Sequence, residues 1–293
     1  MNIFWHCAYS TMQDTRSDTM SFKTLATKTL QILEQESYQT PSGKLVSFEL
    51  ARAITGTRLY TPEQAKTLLE QTQACQAQST QITVTPEKTQ AAAKRLVQDE
   101  GIENLVILNF ASARNAGGGF IRGAQAQEED LCRCSGLYSC LMTQIDYYAA
   151  NRAQDSLLYT DHLIYSPQVP WFREDNRDLL EQPYYASVIT APAPNAGQVL
   201  LKNQAAKSAI YAALYQRAGL VLAVAKAQQH ENLLLGAWGC GVFKNEPQQV
   251  AKAFADWLAE PKFLGCFKYV CFAVYDPGAN KAKLLAFQQQ FSS

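Results

Sequence analysis

The stretch Asn115-Ala-Gly-Gly-Gly-Phe-Ile-Arg-Gly-Ala-Gln-Ala-Gln-Glu-Glu129 carries four glycines in its first nine positions and ends on two adjacent carboxylates. It follows Asn104-Leu-Val-Ile-Leu-Asn-Phe110, an apolar run short enough to be a buried strand. A strand, a glycine-rich turn and then a helix start predict an α/β layered domain, in which ligands sit at the carboxyl ends of the strands.

The pattern around this stretch agrees. Downstream of a low-apolar linker at 75–81, the sequence predicts a strand at 82–84, a helix over 86–99, the central run just quoted, and a helix from about Gln127. Further strands are expected at 163–165, 187–191, 233–235 and 269–275, with helices over 202–226 and 248–260. Strands alternating with helices indicate a parallel or mixed sheet. Upstream, residues 1–18 are polar and aperiodic and read as a flexible arm. Residues 19–78 read as an N-terminal helical extension, with one helix over 22–36 and another after Thr61-Pro62, where threonine caps and proline fits the first turn. Residues 79–293 are left as the main α/β domain.

The chain has 293 residues, 47% of them hydrophobic, with 26 basic against 26 acidic side chains. No run of five or six like charges is present, so a non-specific nucleic-acid surface has no support and any anion must be held locally. The eight cysteines form no C-x-x-C pair and have no histidine at zinc-ligand spacing. Reduced thiols and a cytoplasmic protein are therefore expected, with no metal, no cofactor and no membrane partner. No signal-like start and no apolar stretch of about 18 residues is read in the sequence.

Gly117, Gly118 and Gly119 let backbone amides approach an anion or sugar closely, which suits a diphosphate. The pattern is neither a Walker loop nor a dinucleotide fingerprint. A plain flexible loop is the competing reading. Glu128 and Glu129 point about 100° apart on a helix, so they divide the work, one at the bond and one for positioning; service to the helix dipole alone is the alternative. A second segment, Gly236-Ala-Trp-Gly-Cys-Gly-Val-Phe243, also follows a strand and offers close-approach amides at Gly239 and Gly241. Two such loops would clamp a diphosphate. Gly119 and Gly241 are each expected to lack a side chain because ligand lies against the backbone. Phe243 fits a ribose or base as well as it fits a core. Cys240 has no histidine in a recognisable relation to it, so cysteine catalysis is set aside.

Three segments together, Leu108-Asn-Phe-Ala-Ser112 with Gly117-Gly-Gly119 and Gly123-Ala-Gln-Ala-Gln-Glu-Glu129, Thr190-Ala-Pro-Ala-Pro-Asn195, and Gly236 to Phe243, resemble the microbial type of poly(ADP-ribose) glycohydrolase. The likeness runs from about Phe22 to Phe287. It departs at Arg114-Asn115-Ala116, where a proline more often precedes the glycines, and at Lys244, where a glycine is more usual. The resemblance implies a macrodomain, a three-layer α/β/α sandwich with a mixed central sheet and an N-terminal helical extension. It makes Glu129 the catalytic acid and Glu128 a ribose-binding partner. Substrate binding falls by the same resemblance to Ser112, Gly117, Gly118, Gly119, Phe120, Gln127, Thr190, Gly239, Cys240, Gly241, Val242 and Phe243. Thr85, Glu87 and Tyr275 are placed at strand ends, where adenine contacts are expected. The implied activity is hydrolysis of poly(ADP-ribose) from chain ends by a monomer, with ADP-ribose as product. Hydrolysis of single ADP-ribosyl groups on macromolecules and non-catalytic ADP-ribose reading are the alternatives, the last disfavoured by an intact Gln-Glu-Glu.

Overall fold

The computed structural model describes residues 20–75, 78–175 and 177–292; the arm expected at 1–18 lies outside them. Helix α1 (Phe22–Gln35) is capped by the Ser21 hydroxyl, which accepts from the Thr24 amide at 3.1 Å. A hairpin of β1 (Ser37–Gln39) and β2 (Leu45–Ser47) follows, then α2 (Ala51–Gly56) and β3 (Arg58–Tyr60). Helix α3 (Pro62–Gln71) starts as the sequence predicts, with Pro62 in the first turn and a reciprocal cap between Thr61 and Gln64. Next come β4 (Gln81–Thr85), α4 (Thr89–Lys94), β5 (Leu105–Phe110), α5 (Gln127–Cys134), α6 (Leu137–Met142) and α7 (Ile145–Arg152). The chain ends through the hairpin β6 (Leu163–Arg173) and β7 (Leu179–Ala191), then α8 (Ala196–Lys202), α9 (Lys207–Ala227), β8 (Asn232–Gly236), α10 (Pro247–Ala259), β9 (Tyr269–Ala273) and α11 (Ala282–Phe291).

Seven strands form one mixed sheet in the order β3-β6-β7-β5-β8-β9-β4. The five from β7 to β4 run parallel, while β6 is antiparallel to both of its neighbours. Strand β5 is central: Ile107 pairs with Val188 on one side and Leu234 on the other. Its apolar run is continuous because both faces are covered. Val106 and Leu108 enter one core with side chains of α3, α9, α10 and α11, whereas Leu105 and Ile107 enter the other with those of α2, α4, α5, α6 and α7. These are the three layers of an α/β/α sandwich.

Residues assigned by sequence to the extension are divided between two settings. Helix α1 and the β1–β2 hairpin pack on a small core of their own that includes Ile32, Leu33, Tyr38 and Phe172. Strand β3 instead joins the main sheet, and Tyr60, Ala65 and Leu69 belong to the main core. The run Gln204–Ala227 is long and apolar enough for a membrane span by length and composition, contrary to the sequence reading; 61% of its apolar window is buried in the protein.

The expectation of reduced thiols fails at two positions. Cys75 and Cys266 form a disulfide with a Cα–Cα separation of 5.2 Å, 191 residues apart in sequence. Pairing of β4 with β9 brings the linker before β4 beside the loop before β9, a proximity that cysteine spacing alone does not encode. Cys132, Cys134, Cys140, Cys240 and Cys271 are buried free thiols.

Candidate active site

The carboxyl ends of β5, β8, β9 and β4 open on a cavity of about 670 Å³. Its walls are the glycine loop after β5, the first turn of α5, the loop after β8, Tyr275 beyond β9, and residues 87–90, where the chain passes from β4 into α4.

The start of α5 is fixed to the end of β5 by Gln127. Its Oε1 accepts from the Phe110 amide at 2.8 Å, and its Nε2 donates to Leu108 O at 2.9 Å and Thr89 Oγ1 at 3.2 Å. Pairing between β5 and β8 ends at Ile107, so the Gln127 carboxamide takes up the strand's next free donor and acceptor. With the helix start thus fixed, the two acids diverge as their spacing requires. Glu128 turns to the strand end, where its Oε1 accepts from Asn109 Nδ2 at 3.1 Å and its Oε2 from the Ser112 amide at 2.8 Å. Asn109 Nδ2 also donates to Thr190 Oγ1 at 3.1 Å. Glu129 turns to the glycine loop, where its Oε1 accepts from the Gly119 amide at 2.8 Å.

Gly118 shows why the loop needs glycine. Its φ is +57°, and a Cβ there would lie 2.4 Å from Glu129 Oε1 and 3.2 Å from Glu128 Oε2. Gly119 lacks a side chain for a different reason than expected: its Cβ would meet Ala124 Cβ at 2.6 Å, so the fold itself leaves no room. At Gly241 nothing lies within 4 Å, and the space is open to the cavity.

Burial pushes the Glu128 carboxyl up to about 8, with a smaller push from the charge of Glu129, against the pull of the Ser112 amide and the Asn109 side chain. The acid that burial raises is thus Glu128, the neighbour of the one that the resemblance makes the proton donor.

On the opposing wall, Asn245 Nδ2 donates to Gly239 O at 3.1 Å and Pro194 O at 2.8 Å, which holds the β8 loop closed. Val242 is 79% exposed at the rim. The half-buried Phe243 ring lies 5.9 Å from that of Tyr159. Tyr275 is exposed at the far end, with the Lys88 ammonium 5.4 Å from its ring centroid. Lys88 also bonds Asp175 at 3.0 Å.

Of the residues expected from sequence, Ser112, Gly118, Gly119, Gln127, Glu128, Glu129, Gly239, Gly241, Val242, Phe243 and Tyr275 line the cavity. Four others stand behind the wall. Gly117 packs toward Tyr138 and Cys132. Phe120 is buried with its ring 5.1 Å from that of Tyr138, and Thr190 is buried beneath Asn109. Cys240 is buried as well, its thiol pushed up to about 12 by burial. Of the placements for adenine, Glu87 lines the cavity and is held by Arg95 at 2.7 Å, while Thr85 does not line it. Sequence reasoning missed Asn109, Gln90, Arg122 and Lys283. Asn109 had a signal, an amide inside an otherwise apolar strand run, because a wholly buried amide needs partners.

Residues 26–174 match the family model described as microbial-type PARG, catalytic domain. A crystal structure of poly(ADP-ribose) glycohydrolase from Thermomonospora curvata is 45% identical with a TM-score of 0.88, and the match covers 92% of this chain and 99% of that one. The same enzyme bound to the inhibitor ADP-HPD matches at 45% identity and TM-score 0.85 over 92% of this chain and 99% of that one. Poly(ADP-ribose) glycohydrolase from Deinococcus radiodurans in complex with ADP-ribose matches at 48% identity and TM-score 0.78, over 84% of this chain and 98% of that one. A search of the curated proteins found no match. The fold, the paired acids beside the glycine loop and these likenesses agree: the chain belongs to the microbial-type poly(ADP-ribose) glycohydrolase family.

Proposed function

We propose that this protein hydrolyses poly(ADP-ribose) from chain ends, releasing ADP-ribose, with Glu129 as general acid and base. One observation carries the assignment within the pair. Both oxygens of Glu128 accept hydrogen bonds from the strand end, whereas Glu129 has one oxygen on the Gly119 amide and its Oε2 without a partner among the described residues. A group that must reach a substrate oxygen needs a free atom in the cleft.

The bond to be cut links the anomeric carbon of one ribose to a hydroxyl oxygen of the next. Glu129 Oε2 gives its proton to the leaving oxygen as the C–O bond breaks through an oxocarbenium-like state. The resulting carboxylate then takes a proton from water, whose oxygen bonds the anomeric carbon, and the enzyme returns to its starting form. Glu128 positions the ribose. Burial holds its carboxyl above the usual range, which spares the site the cost of a second buried charge beside a substrate that is itself anionic. The Gly118–Gly119 and Gly239–Phe243 walls would hold the diphosphate and distal ribose, with Glu87 and Tyr275 toward the adenine. A monomer suffices, because every group invoked comes from one chain. The test is to incubate the purified protein with poly(ADP-ribose) and follow free ADP-ribose. A protein that binds ADP-ribose but releases none would be a reader, and one that acts only on single ADP-ribosyl groups would be a mono-ADP-ribosyl hydrolase.

A further inference from the structure

Three cationic side chains line the cavity, Lys88, Arg122 and Lys283. Lys88 is bound to Asp175 at 3.0 Å and Lys283 to Asp276 at 3.4 Å. The Arg122 guanidinium makes no hydrogen bond or ion pair among the described residues. A guanidinium left unpaired in an otherwise paired wall is available to an anionic ligand.

Its location says which anion. Arg122 ends the helical turn Phe120–Arg122, and its amide donates to Gly119 O at 2.9 Å, so the turn grows directly out of the residue that holds Glu129. The turn packs on α1 and α5, the acid side of the cleft, whereas Tyr275 and Glu87 come from the ends of β9 and β4. Beside it Ile121 is 43% exposed. Lys23 abuts the next residue, since a Cβ on Gly123 would lie 2.9 Å from the Lys23 amide nitrogen. Arg122 therefore lines the cleft where the acids stand, with the exposed Ile121 next to it in the same turn.

Under the reaction proposed above, on which this step rests, the unit to be released fills the cleft and the bond to be cut lies at Glu129. The remainder of the polymer leaves on the acid side. That fragment carries its own diphosphate, whose charge would otherwise go unmatched on the acid side. We propose that Arg122, with Ile121 beside it, forms a subsite for the leaving fragment, the guanidinium on its diphosphate and Ile121 against its nucleoside. The subsite favours substrates whose leaving group is another ADP-ribosyl unit, and it contributes nothing to binding of the free product.

The experiment compares Arg122→Ala and Arg122→Lys with wild type in turnover of poly(ADP-ribose), and repeats the Arg122→Ala comparison in a Glu129→Gln background by direct binding of polymer and of ADP-ribose. One lost charge-assisted contact predicts polymer KM or Kd raised by about tenfold, with ADP-ribose affinity and melting temperature unchanged and the lysine variant intermediate. Equal weakening of polymer and ADP-ribose would place Arg122 on the released unit and overturn the proposal, as would unaltered polymer binding. A wild type that releases no ADP-ribose from polymer refutes the catalytic reading instead, and the binding comparison still decides Arg122.

Discussion

The Gly119 amide donates to Glu129 Oε1 at 2.8 Å, while Glu129 lines the cleft with its Oε2 unpartnered among the described residues. A glutamine in place of Glu129 keeps the acceptor for that amide and loses the transferable proton. Glu129→Gln is expected to fold and bind ADP-ribose as wild type does and to lose turnover by at least about a hundredfold. Initial rates on poly(ADP-ribose) check this, and activity within about threefold of wild type would refute the role.

Glu128 makes stability depend on pH. Its folded-state carboxyl is raised to about 8, so the folded protein keeps a proton that the unfolded chain gives up near pH 4.5. Stability from this group is complete below the unfolded value and is lost as pH rises toward 8. Between pH 5 and 8.5, wild type should lose on the order of a few kcal/mol relative to Glu128→Gln. Melting temperatures of both proteins across that range give the answer, and parallel curves would mean that Glu128 is ionised throughout.

Asn109 bridges Glu128 and Thr190 from a wholly buried position. Asn109→Ala removes the donor and leaves Glu128 Oε1 unpaired, at a cost of about 1–3 kcal/mol. Turnover should fall with it, because an acid that positions ribose must itself be held. A variant with normal stability and kinetics would show that the Ser112 amide is sufficient.

The two glycines of the proposed clamp should respond differently to valine. A Cβ at Gly241 meets no protein atom within 4 Å, so for Gly241→Val the melting temperature should stay within a few degrees. ADP-ribose affinity should fall by at least about tenfold, or about 1.4 kcal/mol. Gly119→Val drives its Cβ to 2.6 Å from Ala124 Cβ and should destabilise the fold. Calorimetry and thermal melts on the pair separate the effects; normal binding by Gly241→Val would remove that loop from the site.

The Cys75–Cys266 disulfide spans 191 residues of sequence, so it restricts the unfolded chain strongly. Its reduction, or a double serine replacement, should cost about 2–4 kcal/mol. A thermal melt with and without reductant tests this, and the double variant should not respond to reductant at all.

Strand β5, the glycine loop and the start of α5 were legible because each is specified locally, by an apolar run, by glycine and by a helix pattern. Strand β6 was read as three residues and extends over Leu163–Arg173. Pro167 and Pro170 look like breakers, but a register shift between Ser166 and Val169, with Gln168 at φ 46°, absorbs the irregularity without ending the strand. The helix expected over 86–99 begins only at Thr89 and finishes as a π-helical turn, Arg95–Asp99. Strand β3 has three residues, too few for a periodic signal, and its place is set by pairing with β6. Cys75 meets Cys266, and Arg122 borders the acids, only through long-range topology. Such contacts leave no mark in local sequence.

The carboxamide of Gln127 behaves as an extra peptide group of the sheet, occupying the edge that β8 vacates beside Leu108 and Phe110. The chain from 111 to 126 is therefore an excursion pinned at both ends to a single rigid reference. Outside the glycine turn that meets the acids, it can be rebuilt by an engineer to admit another leaving group while the acid-bearing helix keeps its register against the strand.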